Sequence, residues 1–169
     1  MKSKTTNILI GSAILLFATI AILVLFAAMF NYQDDYGAGW GSGFSVMFGT
    51  AQKKSFHPVA LLIVAFSIEI VGGITGIVAA FMDRKIALIL NIVTAVCLIG
   101  GGILFLLGVP LFLGANNDNI ELVKMIENAK ANGEANPLTL GAAPITNAVF
   151  AFLGGLLGIY GAYSGLQAN

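Results

Sequence analysis

The sequence predicts an all-α membrane protein: a single four-helix transmembrane domain with two outer loops, the second carrying a short amphipathic helix. Three observations predict it. The chain is 58% hydrophobic and 9% charged, whereas an ordinary soluble domain carries roughly 25% charged residues. Its mean hydropathy is +0.94. Four apolar stretches are each long enough for a hydrocarbon core of about 30 Å, which takes about 20 helical residues to cross. They run from about 7 to 30, 59 to 82, 86 to 114 and 145 to 166 of the 169 residues. Backbone groups in lipid must pair within their own segment, so these stretches read as helices. The strands of a membrane barrel would alternate in polarity instead.

Each span has its own signature. Lys2 and Lys4 precede the first. The apolar run that follows is about 23 residues, beyond the 7–15 of a secretory h-region, and no small-x-small site closes it, so an uncleaved signal anchor is expected. The second span is interrupted by one charge, Glu69. The third carries Gly100-Gly101-Gly102 and ends near Pro110, which is expected to kink its outer end. The fourth has Tyr160 and Tyr163 where an inner interface is expected. Arg84 and Lys85 sit in the short turn between the second and third spans. With Lys2 and Lys4 they form the densest positive charge in short segments, which predicts cytoplasmic termini and a plasma-membrane protein. Lys53, Lys54, Lys124 and Lys130 are spread over the two longer loops.

Composition also excludes function classes. Eight basic and eight acidic residues cancel to a net charge of zero, leaving no polybasic surface for nucleic acid. One cysteine and one histidine rule out an internal disulfide, a Cys-based zinc site and a two-His metal motif. No cofactor and no metal are expected, and no catalytic constellation is present: a thiol oxidoreductase needs a second cysteine, and a metalloprotease needs more histidines.

The outer loops cover about 31 to 58 and 115 to 144. The first opens with Asn31-Tyr32-Gln33-Asp34-Asp35-Tyr36 and continues into an uncharged glycine–aromatic tract around Trp40, Phe44 and Phe48. It is expected as a hairpin lying on the membrane or a short re-entrant segment, forming an interfacial belt, with a partner or ligand surface or a pore-lining loop as the sharper readings. It is no phosphate loop, because the lysine and hydroxyl of that motif are missing. Asp34-Asp35 reads as solvated, and His57, just before Pro58, as a surface histidine. In the second loop, Asp118 followed by Glu121 resembles a capping box that opens a helix from about 119 to 131. Ile120, Val123 and Ile126 are expected on one apolar face, with Leu122 at its edge, covering the protein's outer end, lipid or a partner. Gly133 is expected to end that helix and Pro137 to prevent a restart.

Glu69 breaks the pattern most sharply. A charge at mid-helix costs about 2.5–3.5 kcal/mol on insertion scales. Gly72, Gly73 and Gly76 follow it at i+3, i+4 and i+7, on its own face, so the carboxyl is expected in a tight helix–helix contact rather than in lipid. Gly154, Gly158, Gly161 and Gly165 form a second small-residue face on the fourth span. Counted from the inner ends at 1.5 Å per residue, Thr19, Thr94 and Cys97 match Glu69 in depth within about one turn and are its candidate hydrogen-bond partners, while Asn91 and Asn147 fit less well. Glu69 is then either a neutral hydrogen-bonding tie across the bundle, a proton- or cation-binding group, or a contact to another subunit.

Inner termini, two outer loops and a very short inner turn give a layout that resembles claudin-like and other tetraspan membrane proteins along the whole chain. Claudins carry Gly-Leu-Trp and two cysteines in the first outer loop; here Trp40 stands in Gly39-Trp40-Gly41 with no cysteine in the loop. The resemblance implies a structural or accessory role. The expected function is therefore a membrane component that presents its outer cap to a protein partner or to copies of itself. The competing expectation is a small proton- or cation-coupled transporter or channel that uses Glu69.

Overall fold

Four helices of the computed structural model are long and apolar enough to cross a membrane: Lys4–Phe26, Ala60–Ala79, Arg84–Leu106 and Ala142–Leu166. The structure describes residues 4–32, 39–50, 56–131, 133 and 138–167, together with the backbone but not the side chains of a few positions, Trp40 and Glu121 among them. The expectations for Lys2, Asp34, Asp35, Tyr36, Lys53, Lys54 and Pro137 lie outside the described residues.

In chain order the spans are α1 (Lys4–Leu23, continued by a 3-10 turn, Val24–Phe26), α3 (Ala60–Ala79), α4 (Arg84–Leu106) and α7 (Ala142–Gln167). They pack as a ring. α1 lies between α3 and α7, α4 lies between the same two on the other side, and α3 and α7 face each other across the diagonal with little direct contact. The end bearing the Asp83–Arg84 turn is called here the turn end, and the opposite one the sheet end.

The sheet end departs from the all-α expectation. β1 (Ala28–Tyr32) and β2 (Gly39–Ser42) come from the first loop, and β3 (Leu138–Leu140) from the second. They form one antiparallel sheet in the order β2-β1-β3. Thus the last residues assigned by sequence to the first span are strand. The 3-10 turn and the extended Ala27 (φ −78°, ψ 173°) deliver the chain into β1, where Phe30 pairs with Trp40 on one side and Leu140 on the other. Aromatic residues suit a half-buried pleated surface, and their apolarity made the segment look like more helix. Gly141 lets the second loop close on this sheet: its N–H donates to Met29 O at 2.9 Å, and a Cβ there would collide with the carbonyl of Ala28.

The glycine–aromatic tract does not lie as a plain hairpin. After β2 it forms a short helix, α2 (Gly43–Met47), whose N-cap Ser42 accepts from Ser45 N at 3.2 Å. The long third span is also divided. α4 ends at Leu106, and α5 (Gly108–Ala115) restarts at once. Pro110 occupies the first turn of α5, where its missing N–H is tolerated, and the interruption falls just ahead of it.

α6 (Ile120–Ala131) fills the predicted outer helix, with two changes. The side chain that caps its start is Asn119, which accepts from Leu122 N at 3.2 Å, rather than Asp118. The inward face is Leu122 and Ala129, with Ile126 partly buried between them; Ile120 is 70% exposed. The spacing 122, 126, 129 follows i, i+4, i+7, and Ile120 stands about 200° around the helix from Leu122. Gly133, at φ +83°, follows the helix in the left-handed conformation that glycine favours.

Under the sheet lies the main core: Leu25, Met29, Phe30, Met47, Phe105 and Phe112. Phe112 sets its ring 5.2 Å from Phe30 and 5.4 Å from Phe56, so one aromatic cluster ties α5 to both parts of the first loop.

Candidate functional site

The strongest chemical feature is buried at the boundary between this core and the rest of the bundle. Glu69 is fully enclosed, and so is Asn147. Asn147 Nδ2 donates to Glu69 Oε2 at 2.9 Å and to Ala21 O at 3.0 Å. Ala21 belongs to the last turn of α1, whose carbonyls lose their helical partners where the helix ends. One amide therefore fills an acceptor left open by the end of α1 and crosses the diagonal from α7 to α3. The fourth helix also takes part. A Cβ on Gly101 of α4 would sit 2.9 Å from Glu69 Oε1, so only glycine leaves room for the carboxyl. All four spans meet at this pair. The remaining oxygens, Glu69 Oε1 and Asn147 Oδ1, have no hydrogen-bond partner. Because both amide hydrogens are committed to acceptors, including a backbone carbonyl that can only accept, the orientation of the amide is fixed by its surroundings.

The candidates matched by depth go elsewhere. Thr19 is exposed, and its hydroxyl donates to Leu15 O at 2.8 Å. Thr94 is buried and pairs with Thr75 Oγ1 at 2.9 Å. Cys97 is a half-buried free thiol whose Cβ lies against Gly72. Asn147 takes the place assigned to them. Counted from the sheet end, Asn147 is five residues into α7 and Glu69 nine into α3, a difference of about 6 Å. Helical side chains lean toward their own N-terminus, which carries the long glutamate side chain back to the amide. Counting from the turn end missed this because α7 is six residues longer than α3, 26 against 20.

The glycine faces hold the bundle around the pair. A Cβ at Gly72 would lie 2.8 Å from Leu98 Cγ on α4, and one at Gly73 2.8 Å from Ala18 Cβ on α1; Gly76 would meet Ile14. On α7, Gly154 packs on Leu98 of α4, while Gly158 and Gly161 pack on Asn91. Gly165 is the exception, with only Leu88 Cδ1 at 3.9 Å. Below Glu69, Ile14, Ala18 and Leu98 form a small second core. Below that, at the turn end, a cavity of about 280 Å³ is lined by residues including Asn7, Gly11, Gly76, Asn91, Arg84 and Ser164. Ile14, Ala18 and Leu98 stand between this cavity and the carboxyl.

On the cap, the predicted surface residues divide. Phe48, Ile120 and Val123 are exposed, whereas Phe44 and Ile126 pack against the core. Phe44 contacts Phe26 and Phe66 at ring distances of 4.7 and 5.5 Å. Trp40 is placed by its backbone in β2 alone. Three polar contacts were not anticipated. Buried Asn116 accepts from His57 N at 2.6 Å and donates to His57 O and Phe112 O, which joins the first loop to the second. His57 Nε2 also lies 3.4 Å from Asp118 Oδ1, both side chains exposed. At the turn end, Arg84 Nε and Nη2 donate to Gly165 O and Leu166 O at 2.6 and 3.2 Å, capping α7. Among the described residues, no three His, Cys, Asp or Glu side chains gather as a metal site would require.

No family model, no curated protein and no solved structure matches this chain.

Proposed function

We propose that this chain is an integral plasma-membrane protein with cytoplasmic termini, acting as a structural or accessory component that presents its sheet-end cap to a protein partner or to another copy of itself. One observation carries the reading: the single intramembrane carboxyl is enclosed and spent on joining helices, accepting from Asn147, whose amide also bonds the end of α1. A working ion site needs access from one side, and packed aliphatic residues separate Glu69 from the turn-end cavity. The cap supplies the other half of the argument. It is an ordered sheet joined to both loops, and it leaves Phe48, Ile120 and Val123 facing outward. No enzymatic role is proposed.

Reconstituted protein tests this. Proteoliposomes carrying the chain are expected to show the same proton leak as empty vesicles, and Glu69→Gln is expected to fold and to leave that leak unchanged. A proton flux that disappears in a folded Glu69→Gln variant would overturn the proposal. It would favour proton or cation coupling through Glu69, the reading supported by the unpartnered Glu69 Oε1 and Asn147 Oδ1.

A further inference from the structure

The two halves of the cap differ in charge. α6 exposes Lys124, Glu127 and Lys130, while the chain from Gly39 to Thr50, which contains α2, has no charged residue. Val46 and Met47 of α2 are enclosed, and Phe48, which ends it, is 51% exposed. Phe48 follows Phe44 by four residues, so the two share a side of the helix. Phe44 lies between Phe26, the last residue of the first span, and Phe66 on α3. Phe26 is itself largely exposed. The apolar outer surface of two spans therefore continues onto α2.

Depth follows from α3. Its 20 residues rise about 30 Å, the thickness of the hydrocarbon core and no more. Phe66 is six residues from its start, about 9 Å in, and its side chain leans back toward that start. A ring in contact with Phe66 is thus held at the edge of the hydrocarbon, where interfacial helices lie. The backbone fits that environment. A helix end leaves carbonyls without intrahelical partners, and water fills them where it has access. In α2 the four carbonyls from Phe44 to Met47 all have protein donors: Phe48 N, Thr50 N, Gly49 N and Val59 N in that order, at 2.7–3.3 Å. At the other end, Ser45 N donates to Ser42 Oγ and Gly43 N to Ala27 O. Backbone at membrane depth needs such internal pairing, whereas a turn in water does not.

We infer that α2 is an interfacial helix whose Phe44–Phe48 side lies in the sheet-end edge of the hydrocarbon, so that lipid covers this half of the cap and α6 stands in water. A protein partner then reaches the cap at Ile120 and Val123 rather than at Phe48. This placement rests on the membrane assignment proposed above, and the test separates the two. Spin labels on Phe48→Cys, Ile120→Cys and Val71→Cys, each in a Cys97→Ala background, report it in phosphatidylcholine vesicles. All three labelled positions are exposed, Val71 near the middle of α3, and Cys97→Ala keeps the Cβ that lies against Gly72. Oxygen concentrates in hydrocarbon, and a nickel chelate stays in water. The Phe48 label, like the Val71 label, is expected to be relaxed by oxygen and to lose relaxation by the chelate, with the reverse at Ile120.

A Phe48 label as open to the chelate as the Ile120 label, with Val71 shielded, would overturn the placement of α2 and leave the membrane assignment standing. Chelate access at all three would overturn both. Should a label disturb folding, Phe48→Trp combined with Trp40→Phe gives a reading without one. Its fluorescence should be quenched by brominated acyl chains and spared by aqueous acrylamide, and the opposite result would overturn the proposal.

Discussion

The two ends of the bundle are packed by different means. At the sheet end the space between elements is filled by large side chains, with Phe30, Phe105, Phe112, Met29 and Met47 all enclosed. Toward the turn end the core shrinks to Ile14, Ala18 and Leu98, the helices approach through Gly72, Gly73, Gly76 and Gly158, and a cavity opens. The Glu69–Asn147 pair marks the change. With the four long helices in a membrane, as proposed, the difference teaches that the cap outside it has its own hydrophobic driving force, whereas helices in lipid gain little from burying apolar surface and depend on close backbone approach and hydrogen bonds.

The largest expected effect follows from the first half of that contrast. Phe112→Ala removes the ring that contacts both Phe30 and Phe56 and should cost about 3–5 kcal/mol. Thermal unfolding in detergent would register it, and limited proteolysis should show the loops opening before the spans separate. Unfolding of cap and spans as one unit, with no change in proteolysis of the loops, would mean that the two ends do not form separate stability regions.

At the boundary the relevant term is polar. Asn147→Leu strands the Ala21 carbonyl and Glu69 Oε2 without their donor, and a stranded buried group costs about 1–3 kcal/mol. Glu69→Gln keeps an acceptor oxygen for Asn147 and should cost less than Asn147→Leu, about 1 kcal/mol or below. The same thermal measurement separates the two. Equal losses would show that the carboxyl itself, rather than its hydrogen bond, holds the junction.

How much of this was legible depends on the kind of signal. The four spans were readable because hydropathy over about 20 residues averages out local detail. The glycines around Glu69 were readable because helical period fixes which residues share a face. The sheet was hidden: Ala28–Phe30 continues the apolar run of the helix before it, and pairing with Leu138–Leu140 joins segments more than one hundred residues apart. Asn147 was misjudged because depth was counted from the wrong end of a longer helix. Gly101 had the only readable hint, its place in the Gly100-Gly101-Gly102 run. Asn116 and Arg84 act on backbone carbonyls brought near by the fold, and no spacing in the chain announces such contacts. For α6 the error was one of phase, since Ile120 and Val123 share a spacing with Ile126 while Leu122 and Ala129 mark the direction of the core.

Within the glycine-packed half, the contrast can be sharpened by small steps. Gly76→Ala drives a methyl into Ile14, itself fully enclosed, and overpacking of this kind costs about 1–3 kcal/mol. Gly161→Ala meets the Asn91 side chain at 2.8–3.0 Å. Asn91 is only half-buried beside the turn-end cavity, so it has room to rotate and the cost should be below that of Gly76→Ala. Gly165→Ala meets nothing closer than 3.9 Å, and alanine gains about 0.5–1 kcal/mol over glycine inside a helix. That variant should therefore be neutral or slightly stabilising. Thermal unfolding of the three proteins in one detergent should rank them 76, 161, 165 in descending loss. The ranking follows how firmly each neighbour is held, so equal losses at all three positions would mean that glycine serves this half of the bundle through backbone flexibility rather than through close approach.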